Sequence, residues 1–365
     1  MGGVADYSEL VARGLAQAGD EVEVWAPASP GRASSESRIC VRGLQGQFGP
    51  RALRELNRGL RGVGTERQLL VQYVPQAFGL KGSNVWFCLW LFTMRNARIS
   101  VMFHEVAYPF GWKQSLRQNA LAATNRVMAF LVARAASRIL VSVPAWARTL
   151  RPLVGNNKPI TWLPVPSNVP VACNALEGRD AVRGRFADQH QILIGHFGTY
   201  GSLIADLLIG CLPVLLKSHA NCSVLLLGRG SLRFMRRLVG LQPQLAGRVH
   251  ATGSLEAKEL SRHISACDLM FQPYPDGISA RRTSAMVALS HGVALATNCG
   301  AQTESCWRES KAVCLSEDAE APSLVQAAER LIDDDRERRR LAIAALRLYA
   351  EKFDLKHTVT ELRRE

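Results

Sequence analysis

Arg281-Arg282-Thr283-Ser284 stands where an apolar-periodic helix begins (Ala285, Met286, Leu289), after a short apolar strand ending at Phe271-Gln272 and a loop bearing Pro273, Pro275 and Gly277. The first N–H groups of a helix have no intrahelical partners and lie at the positive end of its dipole, so they favour a dianion. Thr283 and Ser284 add hydroxyl donors, and Arg281 or Arg282 adds a guanidinium clamp. The chemistry is phosphate binding. The competing reading is a capped helix with two solvated arginines, because Ser and Thr are common at helix starts.

Two more segments carry chemistry. Gly198-Thr199-Tyr200-Gly201 joins an apolar strand, 191–196 (QILIGH), to a helix at 202–216. The N–H groups of that helix could face a pyrophosphate, or the segment could be only a tight strand-to-helix turn. Gly228-Arg229-Gly230 lacks the third glycine of a dinucleotide fingerprint, and no suitably placed acid follows it. His104-Glu105 emerges from the strand 98–103 (RISVMF). Open α/β sheets bind ligands outside the carboxyl ends of their strands, which suits a functional His-Glu pair. Asp276 and Asp268 are the other acids near these loops, and Asp268 reads as structural. No Walker loop, zincin helix or nucleophile elbow is present, and none of these strands is followed by an Asp-x-Asp pair to hold a metal.

The elements that must position these residues alternate throughout. A helix pattern from Tyr7 to Ala18 leads to a strand at 21–26, and 50–61 reads as a basic amphipathic helix with Arg51, Arg54, Arg58 and Arg61 opposite Leu53, Leu56 and Leu60. Strands at 69–73, 98–103 and 139–143 follow, with an apolar helix at 85–94 and a long helix or helical pair over 111–138. Four prolines within 159–170 mark an interdomain linker. Strands then recur at 191–196, 223–227, 248–253, 268–272, 292–297 and 312–315, with helices between them and three more to the end of the chain. This is an α/β pattern of two Rossmann-like domains facing a cleft. The expected division is 1–165, 166–345 and a C-terminal helical segment 346–365 that crosses back to the first domain. Gly2-Gly3 opens a helix with no strand before it. In a doubly wound sheet that missing strand would be central and would leave a slot in the core. A late-starting chain, a lost strand or a slot filled from elsewhere are the alternatives.

The bulk numbers agree with this organisation. The chain has 365 residues, 47% apolar and 21% charged, long enough for two cores without disulfide staples. Nine cysteines without a CxxC pair argue against a disulfide framework or a zinc site, and the N-terminus lacks a signal-peptide pattern, so a cytoplasmic location is expected. The formal charge of +14 suits phosphate-bearing substrates or an anionic membrane. Nucleic acid is disfavoured, because no aromatic stacking platform or recognised module accompanies the charge.

The segments GGVADYSELVARGLAQAGDEVEVWAP, FHEVAYPF, GTYG and ATGSL…LSRHISACDLMFQPYPDG…ALSHGVALAT resemble the retaining glycosyltransferases of family four, which have the GT-B fold. The resemblance covers nearly the whole chain. It implies transfer of a sugar from a nucleotide-sugar donor, with no metal or other cofactor, to a glycan or lipid-linked acceptor in surface polysaccharide or glycoconjugate synthesis. His104, Glu105 and Asp276 would be the catalytic group, with His104 beside the donor sugar. Gly3 would lie beside the diphosphate or the acceptor. Gly198, Thr199, Tyr200, Gly201, Arg281, Arg282, Thr283 and Ser284 would hold the diphosphate, and Gly253, Ser254 and Leu255 would meet the base and ribose. The family's arginine and lysine near the donor-domain glycine loop are absent here, and neither register supplies its second glutamate: counting from Asp276 puts Ser284 there, and counting back from Gly292 gives Ser279 and Val287. Arg281 and Arg282 are expected to replace the lost cations, and Asp276 the first glutamate. The basic helices 50–61 and 113–138 imply a peripheral site on the cytoplasmic membrane face. The lost strand and carboxylates leave open a non-catalytic relative that binds a sugar nucleotide or a protein partner.

Overall fold

A computed structural model describes residues 3–28, 35–36, 38–61, 67–94, 97–172 and 178–364. Gly2 and the side chain of Arg61 lie outside the described residues. The chain is α/β and divides into two compact units: Met1–Pro164 with Thr358–Glu365, and Val165–His357. The boundary falls inside the proline-rich stretch 159–170.

In the first unit the order is α1 (Gly3–Gln17), β1 (Val22–Pro27), β2 (Ser35–Glu36), β3 (Ile39–Leu44), α2 (Pro50–Arg61), β4 (Gln68–Tyr73), α3 (Val85–Thr93), β5 (Arg98–Phe103), α4 (Leu116–Ala135), β6 (Arg138–Val141), α5 (Pro144–Val154) and β7 (Ile160–Trp162). Its strands form two sheets. One has the order β1-β3-β2 and the other β4-β5-β6-β7. The β1–β3 pair and every pair of the second sheet are parallel. Among the described residues β1 and β4 each end a sheet, with no strand on their outer edge. One apolar core nevertheless joins both: Leu44, Leu53 and Leu56 pack with Val71, Tyr73, Ile99 and Phe103. In α2, Ala52, Leu53 and Leu56 are buried, while Arg51, Arg54 and Arg58 are exposed.

Local chemistry sets two helix starts. Asn84 caps α3: its Oδ1 accepts from Phe87 N at 3.1 Å, and its Nδ2 donates to the Phe48 and Phe78 carbonyls at 3.1 and 2.7 Å. Ser115 and Gln118 form a capping box at α4. That box starts the helix five residues later than the apolar pattern from 111 suggests.

The second unit runs α6 (Arg179–Arg183), β8 (Ile192–Phe197), α7 (Ser202–Ser218), β9 (Cys222–Leu227), α8 (Ser231–Leu241), β10 (Val249–Ala251), α9 (Ala257–Ala266), β11 (Leu269–Gln272), α10 (Thr283–Ser290), β12 (Ala294–Asn298), α11 (Ser305–Glu309), β13 (Cys314–Ser316), α12 (Ala321–Asp333), α13 (Asp335–Leu348) and, after a wide turn, α14 (Leu355–Arg363), whose residues from Thr358 group with the first unit. The sheet has the order β10-β9-β8-β11-β12-β13, and all its pairs are parallel. β9 is buried along its whole length, as expected for a strand covered on both faces. The strand order reverses between β8 and β11. Chain connections leave in opposite directions on either side of that point, which opens a crevice at the carboxyl ends of the strands.

Candidate active site

The β8–β11 switch point brings together the two segments in which phosphate chemistry is legible. Gly198–Gly201 leaves the end of β8, the loop 273–282 leaves the end of β11, and Leu269 and Met270 pair with Ile194 and Gly195. The glycine loop is packed against its neighbour: a Cβ on Gly228 would sit 2.5 Å from the Gly198 carbonyl oxygen, and Gly228 has φ +98°. Tyr200 holds the loop in place. Its hydroxyl lies 3.1 Å from the carbonyls of both His196 and Leu227, and its ring stacks on Phe234 at 5.1 Å. These bonds commit the Tyr200 side chain to the protein. Thr199 and Gly201 are exposed, and Gly201 caps α7 without a side-chain bond.

Asp276 organises the second loop. Its Oδ2 accepts from Arg281 Nη2 at 2.8 Å and its Oδ1 accepts from Arg282 Nη2, so one carboxylate binds both guanidiniums. Arg282 is also the N-cap of α10 and lies over the Tyr274 ring, 4.8 Å from its centroid. Tyr274 is buried, and its hydroxyl and the Ser284 hydroxyl are 2.8 Å apart. The expected diphosphate ligands Arg281, Arg282 and Ser284 are therefore one bonded cluster with Asp276 and Tyr274. Thr283, the first residue of α10, is partly exposed beside them.

Residues that the sequence patterns do not single out support this cluster. Asn298, at the end of β12, accepts from Tyr274 N and donates to its carbonyl, each at 2.8 Å. Glu304 is buried, receives Ala280 N at 3.1 and 3.2 Å on its two oxygens, and receives the Trp307 indole N–H at 2.8 Å. Burial raises its pKa, while those donors and the nearby Arg281 oppose the rise. His196 ends β8. Its Nδ1–H donates to the Phe271 carbonyl at 2.8 Å, and its buried Nε2 has no partner among the described residues. Burial lowers its pKa to about 4, so Nε2 is an acceptor at neutral pH. Gln272 ends β11 with both side-chain polar atoms buried and without a hydrogen-bond partner among the described residues. A polar residue closing an apolar strand, as in QILIGH and LMFQ, is the signal that could have found these two.

Gly253, Ser254 and Leu255 follow β10. Gly253 N donates to Ser231 Oγ at 2.9 Å, and Ser254 is exposed. His104, Glu105 and Gly3 belong to the first unit. His104 is buried at the end of β5, with Nε2–H donating to Gln72 Oε1 at 2.8 Å and the Tyr7 ring edge-on at 4.9 Å. Burial lowers its pKa to about 4, leaving a neutral ring with Nδ1 as acceptor. Gly3 is exposed at the start of α1. Asp268 accepts from Arg183 and from Leu193 N, both at 2.7 Å, which is a structural role. Among the described residues no group of three or more His, Cys, Asp and Glu could hold a metal ion.

No protein-family model matches the chain, and no curated protein matches it in sequence. Solved structures do match in fold. Sucrose-phosphate synthase from Thermosynechococcus elongatus superposes with TM-score 0.71 at 16% identity, over 98% of this chain and 90% of that one. WaaG, a glycosyltransferase involved in lipopolysaccharide biosynthesis, gives 0.66 at 15% identity, over 99% and 95%. HepE of Anabaena, solved in complex with UDP, gives 0.63 at 16% identity, over 94% and 98%. The chain shares with these glycosyltransferases the GT-B fold of two Rossmann-like domains.

Proposed function

We propose that the protein is a glycosyltransferase that takes a sugar from a nucleotide-sugar donor held in the second unit. One observation carries this reading: the Asp276–Arg281–Arg282 cluster and the Gly198–Gly201 loop leave adjacent strands at the switch point of a GT-B fold. Fold neighbours solved with UDP and with UDP-glucose support a nucleotide-sugar donor. In this reading the diphosphate meets the first-turn N–H groups of α7 and α10, and the two guanidiniums move part of their bonding from Asp276 to phosphate. Charge on the leaving group is then stabilised by fixed donors instead of a metal. Ser254 and its neighbours meet the base and ribose.

His104 is the acceptor for a sugar hydroxyl, through Nδ1. The reading extends to retention of configuration: the acceptor hydroxyl attacks from the face the nucleotide leaves, the glycosidic bond to phosphate breaks, and the departing phosphate takes the acceptor proton. Glu105 and Asp276 position the reactants. The acceptor is a glycan or lipid-linked glycan of a surface polysaccharide, handled by the first unit at the cytoplasmic face of the membrane.

Thermal-shift titration with UDP, GDP, ADP and CMP and their sugar conjugates tests this, with and without EDTA. A ligand at about 100 times its dissociation constant adds ~2.7 kcal/mol of stability. Arg282→Ala should weaken nucleotide binding by about 1.5–3 kcal/mol, the worth of a charge-assisted contact. A nucleotide shift that Arg282→Ala leaves intact would remove the arginines from the site. The closure of Asp276 on both arginines favours a second reading, a non-catalytic relative. Folded protein that responds to no nucleotide would select it.

A further inference from the structure

We infer that the outward face of α3 and α4, with the loop preceding α4, seats the protein on the surface of an anionic phospholipid bilayer. The observation is a reversal of amphipathicity. The solvent side of α4 is the line Leu116, Ala120, Ala123, Val127 and Phe130, spaced four and three apart, and all five are exposed. The opposite side, with Ala122, Met128, Ala129 and Val132, is buried in the core. A surface helix ordinarily turns polar residues outward. This one is apolar on both sides, with Leu116 91% and Val127 51% exposed.

Neighbouring elements continue the patch. α3 packs on α4 and exposes Trp86 and Leu89. The loop before α4 exposes Phe110 and Trp112, the latter completely. Large contiguous apolar surface of this kind marks an interaction site.

Charge selects the occupant. Between Glu66 and Glu177 the chain has one acidic residue, Glu105, against twelve lysines and arginines. Lys81, Lys113, Arg117 and Arg134 are exposed among the apolar residues. Arg126 lies over the Phe110 ring at 3.9 Å and Arg134 near the Phe130 ring at 5.9 Å. Aromatic bodies with cationic tips suit the boundary between acyl chains and phosphate headgroups, where the rings enter and the cations stay with phosphate. No helix among the described residues is long and apolar enough to cross a membrane, so the contact lies in the plane of the interface. This inference stands whether or not the chain transfers sugar.

The test is co-sedimentation of the full chain with vesicles of phosphatidylcholine alone and with about a third phosphatidylglycerol. We expect binding to the anionic vesicles and at least about tenfold weaker binding to the neutral ones. The combined Trp112→Ser, Val127→Ser, Phe130→Ser variant alters only exposed side chains. It should lower partitioning about tenfold or more with an unchanged circular dichroism spectrum. Arg117→Glu with Arg134→Glu should lower it with the apolar face intact. Equal binding to both vesicle types, no binding, or indifference to the triple variant would overturn the inference. Self-association of the wild type that the triple variant abolishes, without vesicle binding, would assign the face to a second copy instead.

Discussion

Asp276 is the residue on which the candidate site turns, because its single carboxylate faces two guanidiniums. In the absence of ligand it cancels half of their charge. Removing that charge while keeping the shape should leave more positive potential for a diphosphate, so Asp276→Asn is expected to tighten UDP binding a few-fold and to lower sugar transfer. Calorimetry and a transfer assay would check the pair, and weaker UDP binding would mean that the carboxylate mainly holds the arginines in position. His104 and His196 make a separate statement at this scale. Both are buried neutral, with pKa lowered by burial from 6.5 to about 4. The unfolded chain therefore binds these protons first as pH falls. Stability is level above pH 6.5 and is lost between 6.5 and about 4, by on the order of 2 kcal/mol per histidine at about pH 5. Urea titrations at about pH 7.5 and 5 should show the loss, and His196→Gln should make it smaller.

At the scale of elements, the loop after β11 is held by its contact with the loop after β12. Gly277 has φ +84°, and a Cβ there would lie 2.3 Å from Gly300 N and 2.4 Å from Thr303 Oγ1. Gly277→Ala should cost at least ~2 kcal/mol and loosen the Asp276 cluster. Gly240, within α8, has open space around the position of a Cβ, so Gly240→Ala should stabilise by about 0.5–1 kcal/mol. Thermal melts of the two variants should move in opposite directions. The glycine loops and the helices at 50–61, 85–94 and 202–216 were legible because their signals are local, a glycine-bounded loop or a periodic apolar run, whereas the apolar pattern missed the capping box that starts α4. The support around the cluster was not legible. Glu304 and Asn298 reach Ala280 and Tyr274 across 24 residues, and no spacing rule connects them.

At the scale of the whole molecule, charge is divided unevenly. Of the formal +14, eleven charges fall within residues 67–176 and three in the rest of the chain. Association with anionic vesicles should therefore weaken steeply as salt rises from about 0.05 to 0.5 M, since screening shortens the reach of that field. Sedimentation across a salt series would show it. The first unit also has its strands in two sheets over one core, and among the described residues β1 and β4 stand at the ends of those sheets. The alternation of strands and helices, the glycine loops, the cations at 281 and 282 and the long acid-poor stretch were determined by the sequence itself, because each depends on neighbours within a few turns or residues. Strand order is different. That β8 lies beside β11, joining loops about 75 residues apart, follows from how the apolar faces are buried together, and only the tertiary structure decided it. The same holds for Asp276 closing on its arginines and for α4, whose apolar residues occupy both sides: packing alone chose which side became core and which was left to face outward.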